Sequence, residues 1–334
     1  MRAAVFDRFG PPSVLRVAEL PDPVPGPGEI RVRVRAAGVQ PFDVAFRQGR
    51  LARDRASFPQ QVGQEYAGVV DAVGPDPETT PVSETTPVSE TTPGSETTPG
   101  SETTPGSETT WAVGDAVLGS TMFNGQASAV VVPAVNAVRK PGHLDFPTAA
   151  ALVAAAQTAS GALRELGVRA GDVLLVHAAA GSVGTLAVQL ARLAGATVIG
   201  TASPANHDYL RGIGAIPVAY GESLPHSVRL IAKRLPTVVL DAAGGEAIAQ
   251  SVALGVPPER IGTIVDDRAA AEHGARVVRA PRDPLRLAEV AELAARGVLS
   301  MPVRAYPLSD VAAAHAAVES RHGRGKVVLI VESA

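Results

Sequence analysis

The residues best suited by type and spacing to do chemistry run from Val173 to Gly184, VLLVHAAAGSVG. The order is an apolar run, a glycine turn and the start of a helical pattern over residues 186–195. At such a junction backbone N–H groups converge and the helix dipole favours negative charge, which suits a pyrophosphate. Ala179-Ala180-Gly181-Ser182-Val183-Gly184 is the dinucleotide fingerprint with its first glycine replaced by Ala179. The competing interpretation is a structural tight turn, because glycine turns are common between strands and helices. Residues 196–202 read as a second parallel strand, which completes a βαβ unit of the expected length.

The end of that second strand bears on which dinucleotide binds. An acidic residue there would hold the ribose 2′-hydroxyl of NAD. Here the strand runs into Ser203, with Asn206 and His207 close behind and Arg211 one helical turn further. No carboxylate stands ready to repel a 2′-phosphate, and these side chains can donate to one. NADPH is the cofactor expected, unless these are ordinary loop and helix-start residues.

The elements that position this unit differ along the chain. Residues 1–20 read as two short strands around Gly10-Pro11-Pro12, and residues 29–37 alternate arginine with apolar residues as a half-exposed strand. Further strands are expected at 67–73, 116–118 and 127–132, so the first part is all-β. A long alanine-rich helix is expected over residues 147–166, with Pro147 tolerated at its start. Later strands at 237–240, 260–265 and 275–278 alternate with helical stretches, which implies a doubly wound α/β unit. After Pro281 the pattern is helix (283–296), strand (303–306), helix (309–320) and strand (326–331).

Composition narrows the class. The chain has 334 residues, 46 % of them hydrophobic, no cysteine and a formal net charge of −3. Disulfides, thiolate catalysis and Cys-ligated zinc are excluded. No bulk charge points to nucleic acid or membrane, and no apolar run approaches a membrane span. The N-terminus lacks an apolar signal region and cleavage pattern, so a cytoplasmic location is expected. Residues 78–110 repeat ETTPVS and then ETTPGS. They carry no apolar periodicity and read as a disordered insertion between two strand ends. The six repeat glutamates set the sign of the net charge, which would be +3 without them.

The order of AAGVQPFDV, GQEYAGVVDAVG, VGDAVLG, AAAGSVG and GRGKVVLIV resembles the medium-chain dehydrogenase/reductase superfamily, and within it the zinc-free quinone oxidoreductase branch. The resemblance covers nearly the whole chain except the repeat. It implies a GroES-like β-rich catalytic domain (residues 1–133, completed by 281–334) and a Rossmann cofactor domain with a doubly wound parallel sheet (134–280). It also implies an active site in the cleft between them and a homodimer. Zinc-dependent relatives place Cys and His where this chain has Gln40 and Gln64, and neutral amides are poor zinc ligands. No metal is expected, and His177 reads as structural.

By resemblance Gln40 lies beside the nicotinamide ribose, Asp43 is the nearby acidic residue and Thr158 sits near the nicotinamide. The residues alone also fit a turn, a helix-start cap and a helix-surface hydroxyl. Family tyrosines are replaced by Ala45 and Ala52, which leaves Tyr66 as a proton-donor candidate unless it belongs to the core. Phe42, Phe46, Met122 and Phe123 either line an apolar cleft or are core. On the cofactor side the resemblance points to Ala179, Ala180, Gly181, Ser182, Val183, Ser203, His207, Ala242, Gly244, Val265 and Lys326. His207 stands where a lysine is common. Asp266 and Asp267 face solvent or handle protons.

The expected activity is NADPH-dependent, zinc-independent reduction of a small quinone or α,β-unsaturated carbonyl by hydride transfer. Alternatives are an enoyl reductase of a polyketide-type pathway and a weakly active NADPH-binding module.

Overall fold

The computed structural model describes residues 1–51, 57–75, 110–321 and 323–331. The repeat, except Thr110, and the Ala52 position lie outside these residues.

Six parallel strands form one sheet, in the spatial order Ile216–Ala219, Thr197–Ala202, Val173–Val176, Val238–Asp241, Ile261–Thr263, Arg276–Val277. Numbered along the chain this is 3-2-1-4-5-6, the doubly wound order that binds dinucleotides where the strand order reverses. The reversal falls beside Val173–Val176, the strand that feeds the glycine turn. Val173–Val176 is buried along its length, as a central parallel strand covered on both faces must be. The edge strand Ile216–Ala219 is not expected from the sequence. Pro217 interrupts its pattern, and proline is tolerated there because the strand lies at the sheet edge.

A second sheet holds the β-rich half. Its order is Val303–Pro307, Lys326–Ile330, Glu29–Val39, Glu65–Val73, Ala116–Ser120, Ala137–Arg139, and Ala129–Pro133 also pairs with Glu29–Val39. The C-terminal strand Lys326–Ile330 runs antiparallel to Glu29–Val39, so the chain returns to the sheet it left. Strand Glu29–Val39 runs two residues, Gly38 and Val39, past the expected 29–37, and its last four residues are all buried. The arginines of the alternating half are not simply solvated: Arg31 and Arg33 both pair with Asp71, at 2.8 and 2.5 Å. Arg2–Phe6, Leu15–Glu19 and Gln60–Gln61 make a small third sheet.

Helix α1 is Pro41–Arg47, α2 is Phe146–Glu165 and α3 is Ser182–Leu193. Asp145 caps α2 by accepting from the Thr148 amide at 2.7 Å, and Phe146-Pro147 opens it. The alanine-rich α2 is buried nearly all round, as a helix apolar on every face must be. It packs on α3 on one side and on Glu29–Val39 and Glu65–Val73 on the other. One apolar core therefore runs from Ala36, Ala67 and Leu118 of the β-rich half through α2 into Leu174, Val176 and Leu186. Among the described residues no helix is long and apolar enough to cross a membrane.

Candidate active site

At the nucleotide end, the turn after Val173–Val176 is held by Thr201. Its Oγ1 accepts from the Ala178 amide at 3.1 Å and its carbonyl from the Ala179 amide at 2.9 Å. Ala178 takes a left-handed φ of 55° to make the turn. A Cβ on Gly184 would fall inside contact with Ala178 O and the Ala179 backbone, so glycine is what lets α3 pack on the turn. Gly181 caps α3 without a side chain, which leaves the first-turn amides of Ser182 and Val183 for an external acceptor. The junction thus fits a pyrophosphate. The Gly325 amide donates to Ala180 O at 2.9 Å, so the C-terminal segment closes against this turn.

Ser203, Asn206 and His207 stand together past the end of Thr197–Ala202. Asn206 Nδ2 donates to Ser203 Oγ at 3.3 Å, and His207 Nε2 lies 3.4 Å from Ala202 O. Arg211 does not join them: it turns to Asp208 at 2.6 Å in an exposed pair. Its place is taken by Arg324, whose Nε donates to Asn206 Oδ1 at 3.0 Å and whose guanidinium lies 4.7 Å from the Tyr209 ring centre. Sequence reasoning missed Arg324 because it arrives from a segment 118 residues away.

The loops after the fourth and fifth strands are fixed from within. Asp241 Oδ1 accepts from the Ala243 and Gly244 amides at 2.8 and 2.9 Å, and its Oδ2 from Thr263 Oγ1 at 2.7 Å. This sets the path of Ala242–Gly244. Thr263 Oγ1 in turn accepts from the Val265 amide, leaving the Val265 side chain exposed. Asp266 caps the following helix through the Ala269 amide, and Asp267 pairs with Arg279, so both acids have structural partners. His177 is buried and bonds Ser251 at 3.0 Å; burial lowers its pKa to about 4, which keeps it neutral.

In the β-rich half, Gln40 Nε2 donates to Gln64 Oε1 at 2.8 Å. The pair spends amide groups on itself, and this donor set does not fit a zinc ion. With its oxygen engaged, Gln64 presents Nε2 to Met122 Sδ at 3.7 Å, a weak acceptor. Asp43 at the start of α1 is fully buried and accepts from the Gln40 amide at 3.0 Å and from Gln126 Nε2 at 3.3 Å. Burial pushes its pKa up to about 7, helped by the Glu65 charge and opposed by the Gln40 and Gly63 amides and by Lys326. Gln126 Oε1 faces His315 Nε2 at 3.0 Å, and burial, with Arg47 nearby, lowers the His315 pKa to about 3.

Two expectations need correction, for Tyr66 and Lys326, and Phe46 falls on the core side of its two readings. Tyr66 is fully buried in the β-domain core and its hydroxyl has no hydrogen-bond partner among the described residues. Burial raises its pKa, so it is placed as a core residue and not in the cleft. Phe46 is likewise buried, between Phe6 and Phe123, at 5.6 and 4.1 Å. Lys326 spends its ammonium on the buried Glu65 carboxylate, whose other oxygen accepts from the Ala154 amide of α2 at 2.7 Å.

A cavity of about 660 Å³ opens beside the amide pair. Phe42, Met122, Pro284 and Leu287 give it apolar walls, and Gln64, Gln157 and Arg282 are among its polar lining. Gln157, not its neighbour Thr158, reaches this wall. Gln157 donates to Ser120 Oγ at 3.3 Å and accepts from the Asp283 amide at 2.6 Å.

The family model of the alcohol dehydrogenase GroES-like domain matches residues 26–143, and that of zinc-binding dehydrogenases matches residues 232–329. The chain is 34 % identical over 328 residues to the spectinabilin polyketide synthase system protein NorB of Streptomyces orinoci, covering 92 % of this chain and 13 % of that protein. It spans between 4 % and 59 % of the first curated relatives it matches. Among solved structures, the quinone oxidoreductase from Coxiella burnetii superposes with a TM-score of 0.80 at 27 % identity, over 99 % of both chains. A mycobacterial protein complexed with NADPH gives 0.78 at 26 % over 99 % of both, and an NAD-dependent alcohol dehydrogenase gives 0.80 at 28 % over 99 % and 100 %.

Proposed function

The chain belongs to the medium-chain dehydrogenase/reductase superfamily, in its zinc-free, quinone-oxidoreductase-like branch, and from that premise we propose that it reduces quinones or α,β-unsaturated carbonyls with NADPH. The observation that carries this reading is the orientation of Gln64. Gln40 holds its oxygen, so its N–H groups face a largely apolar cavity, where the partner among the described residues is a thioether. A substrate carbonyl is a better acceptor than sulfur, and a donor fixed in advance stabilises the oxyanion that forms as the carbonyl is reduced or enolised.

The chemistry supplied by a bound nicotinamide dinucleotide is delivery of one hydride. In this reading the Ser182 and Val183 amides hold its pyrophosphate, and Ser203, Asn206, His207 and Arg324 hold the 2′-phosphate. Gln64 polarises the acceptor carbonyl. Gln40 orients Gln64, and Asp43 fixes the backbone of Gln40 at the head of α1. Asp43 touches Gln40 and not the cavity, so it is a positioning residue whose charge varies near neutral pH. Proton delivery to the reduced substrate falls to water entering the cavity.

The match to a polyketide synthase protein over most of this chain favours, as a second reading, an enoyl thioester as acceptor. Both readings use the same donor. Gln64→Leu keeps the bulk and removes the N–H; kcat should fall about 100-fold or more with NADPH binding unchanged. An unchanged kcat would contradict the mechanism.

A further inference from the structure

Arg282 lines the cavity beside the amide pair, from the turn that precedes helix Pro284–Ala295. Its charge has no carboxylate partner among the described residues. The adjacent acid, Asp283, is committed elsewhere: Oδ1 accepts from the Leu285 and Arg286 amides at 2.9 and 3.3 Å, and Oδ2 lies 3.5 Å from Arg286 Nε. Glu65 attracts Arg282 electrostatically, but its carboxylate is already paired with Lys326. Among the described residues the guanidinium makes one hydrogen bond, a long one of 3.5 Å to Ala154 O. Arg282 keeps solvent access, yet it lies deep enough among protein atoms for desolvation to lower its pKa.

The backbone that carries Arg282 is held firmly. Gln157 of α2 accepts from the Asp283 amide at 2.6 Å, and Asp283 caps the helix behind it. A guanidinium at the solvent-accessible edge of the cavity, on a fixed turn, with donors to spare and apolar walls beside it, is a ready-made site for a planar anion. The rest of the lining offers no competing charge: Gln64, Ser120, Thr121, Asn136 and Gln157 are neutral.

We infer that Arg282 is a specificity-determining residue that binds a carboxylate on the substrate, so that the acceptor this cavity prefers is an anionic enone or quinone. This rests on the reductase reading above for the reaction, but not for the binding. The carboxylate docks on Arg282 while the carbonyl to be polarised meets Gln64, and the two contacts together fix which face and which end of the substrate enter.

The test compares a matched pair, an enone with a terminal carboxylate and its methyl ester. In the wild type, kcat/KM for the acid should exceed that for the ester by about 10- to 100-fold, the range of a charge-assisted hydrogen bond. Arg282→Gln should remove that preference through KM for the acid, leaving the ester and the NADPH KM unchanged. A second arm needs no turnover: binding of the saturated acid and its saturated methyl ester, in the presence of NADP⁺, by calorimetry. If no acceptor is reduced but the saturated acid binds through Arg282, the reductase reading fails and this inference stands. Equal binding of acid and ester, or a loss in Arg282→Gln that falls equally on both or on NADPH, would overturn it.

Discussion

Arg324 donates its Nε to Asn206 Oδ1 at 3.0 Å, and so brings a cation from the C-terminal segment to the loop that follows Thr197–Ala202. That loop is where a dinucleotide's ribose 2′ position is read. Arg324→Ala should raise the KM for NADPH about tenfold, the low end for a charged contact at an exposed site, and leave that for NADH unchanged. Steady-state kinetics with the two cofactors checks this. An equal effect on both would mean that Arg324 serves the loop and not the phosphate.

Asp43 makes stability fall as pH rises through neutrality. Its folded pKa of about 7 lies above the ordinary 3.8, so between these values the folded chain keeps a proton that the unfolded chain releases. This site's stability is full below about pH 4 and is lost progressively as pH rises through 7. The span corresponds to at most about 4 kcal/mol. Asp43→Asn still accepts from the Gln40 amide and should flatten that slope. Denaturant unfolding of both proteins at several pH values between 4 and 8 measures it.

The Glu65–Lys326 pair joins strand Glu65–Val73 to Lys326–Ile330, with both side chains buried. Lys326→Met strands a buried carboxylate and should cost about 3–5 kcal/mol. Glu65→Gln with Lys326→Met should recover much of that loss, because no uncompensated charge remains. Thermal unfolding of the single and double variants shows whether the two effects couple.

Tyr66→Phe removes a hydroxyl that has no partner among the described residues. The variant should be as stable as the wild type or up to about 1 kcal/mol more so, since an unsatisfied buried polar group is lost. Its kcat should be unchanged. A large loss of activity would return Tyr66 to the reaction.

The glycine junction and the strand and helix that flank it were legible because they are local. An apolar run, a glycine turn and a helical pattern lie within about twenty residues, and the physics of the helix N-terminus acts on them directly. Residues brought from far along the chain were not legible. Arg324 meets Asn206 and Lys326 meets Glu65 only after the chain has returned to the β-rich sheet, and Arg282 meets Ala154 across 128 residues of sequence. Side-chain direction was also hidden. Phe42 and Phe46 are four apart on one short helix, yet Phe42 lines the cavity and Phe46 is core. Gln40 and Gln64 were readable as poor zinc ligands, but their mutual hydrogen bond, and hence the direction of the Gln64 donor, came only from the structure.

NADPH consumption with a benzoquinone, a naphthoquinone, an enone and an enoyl thioester, run in parallel with NADH, measures the proposed reaction itself. Turnover of at least one acceptor, with a larger kcat/KM for NADPH than for NADH, is the predicted result. Tight NADPH binding with no turnover of any of the four would contradict it and leave a cofactor-binding module in its place.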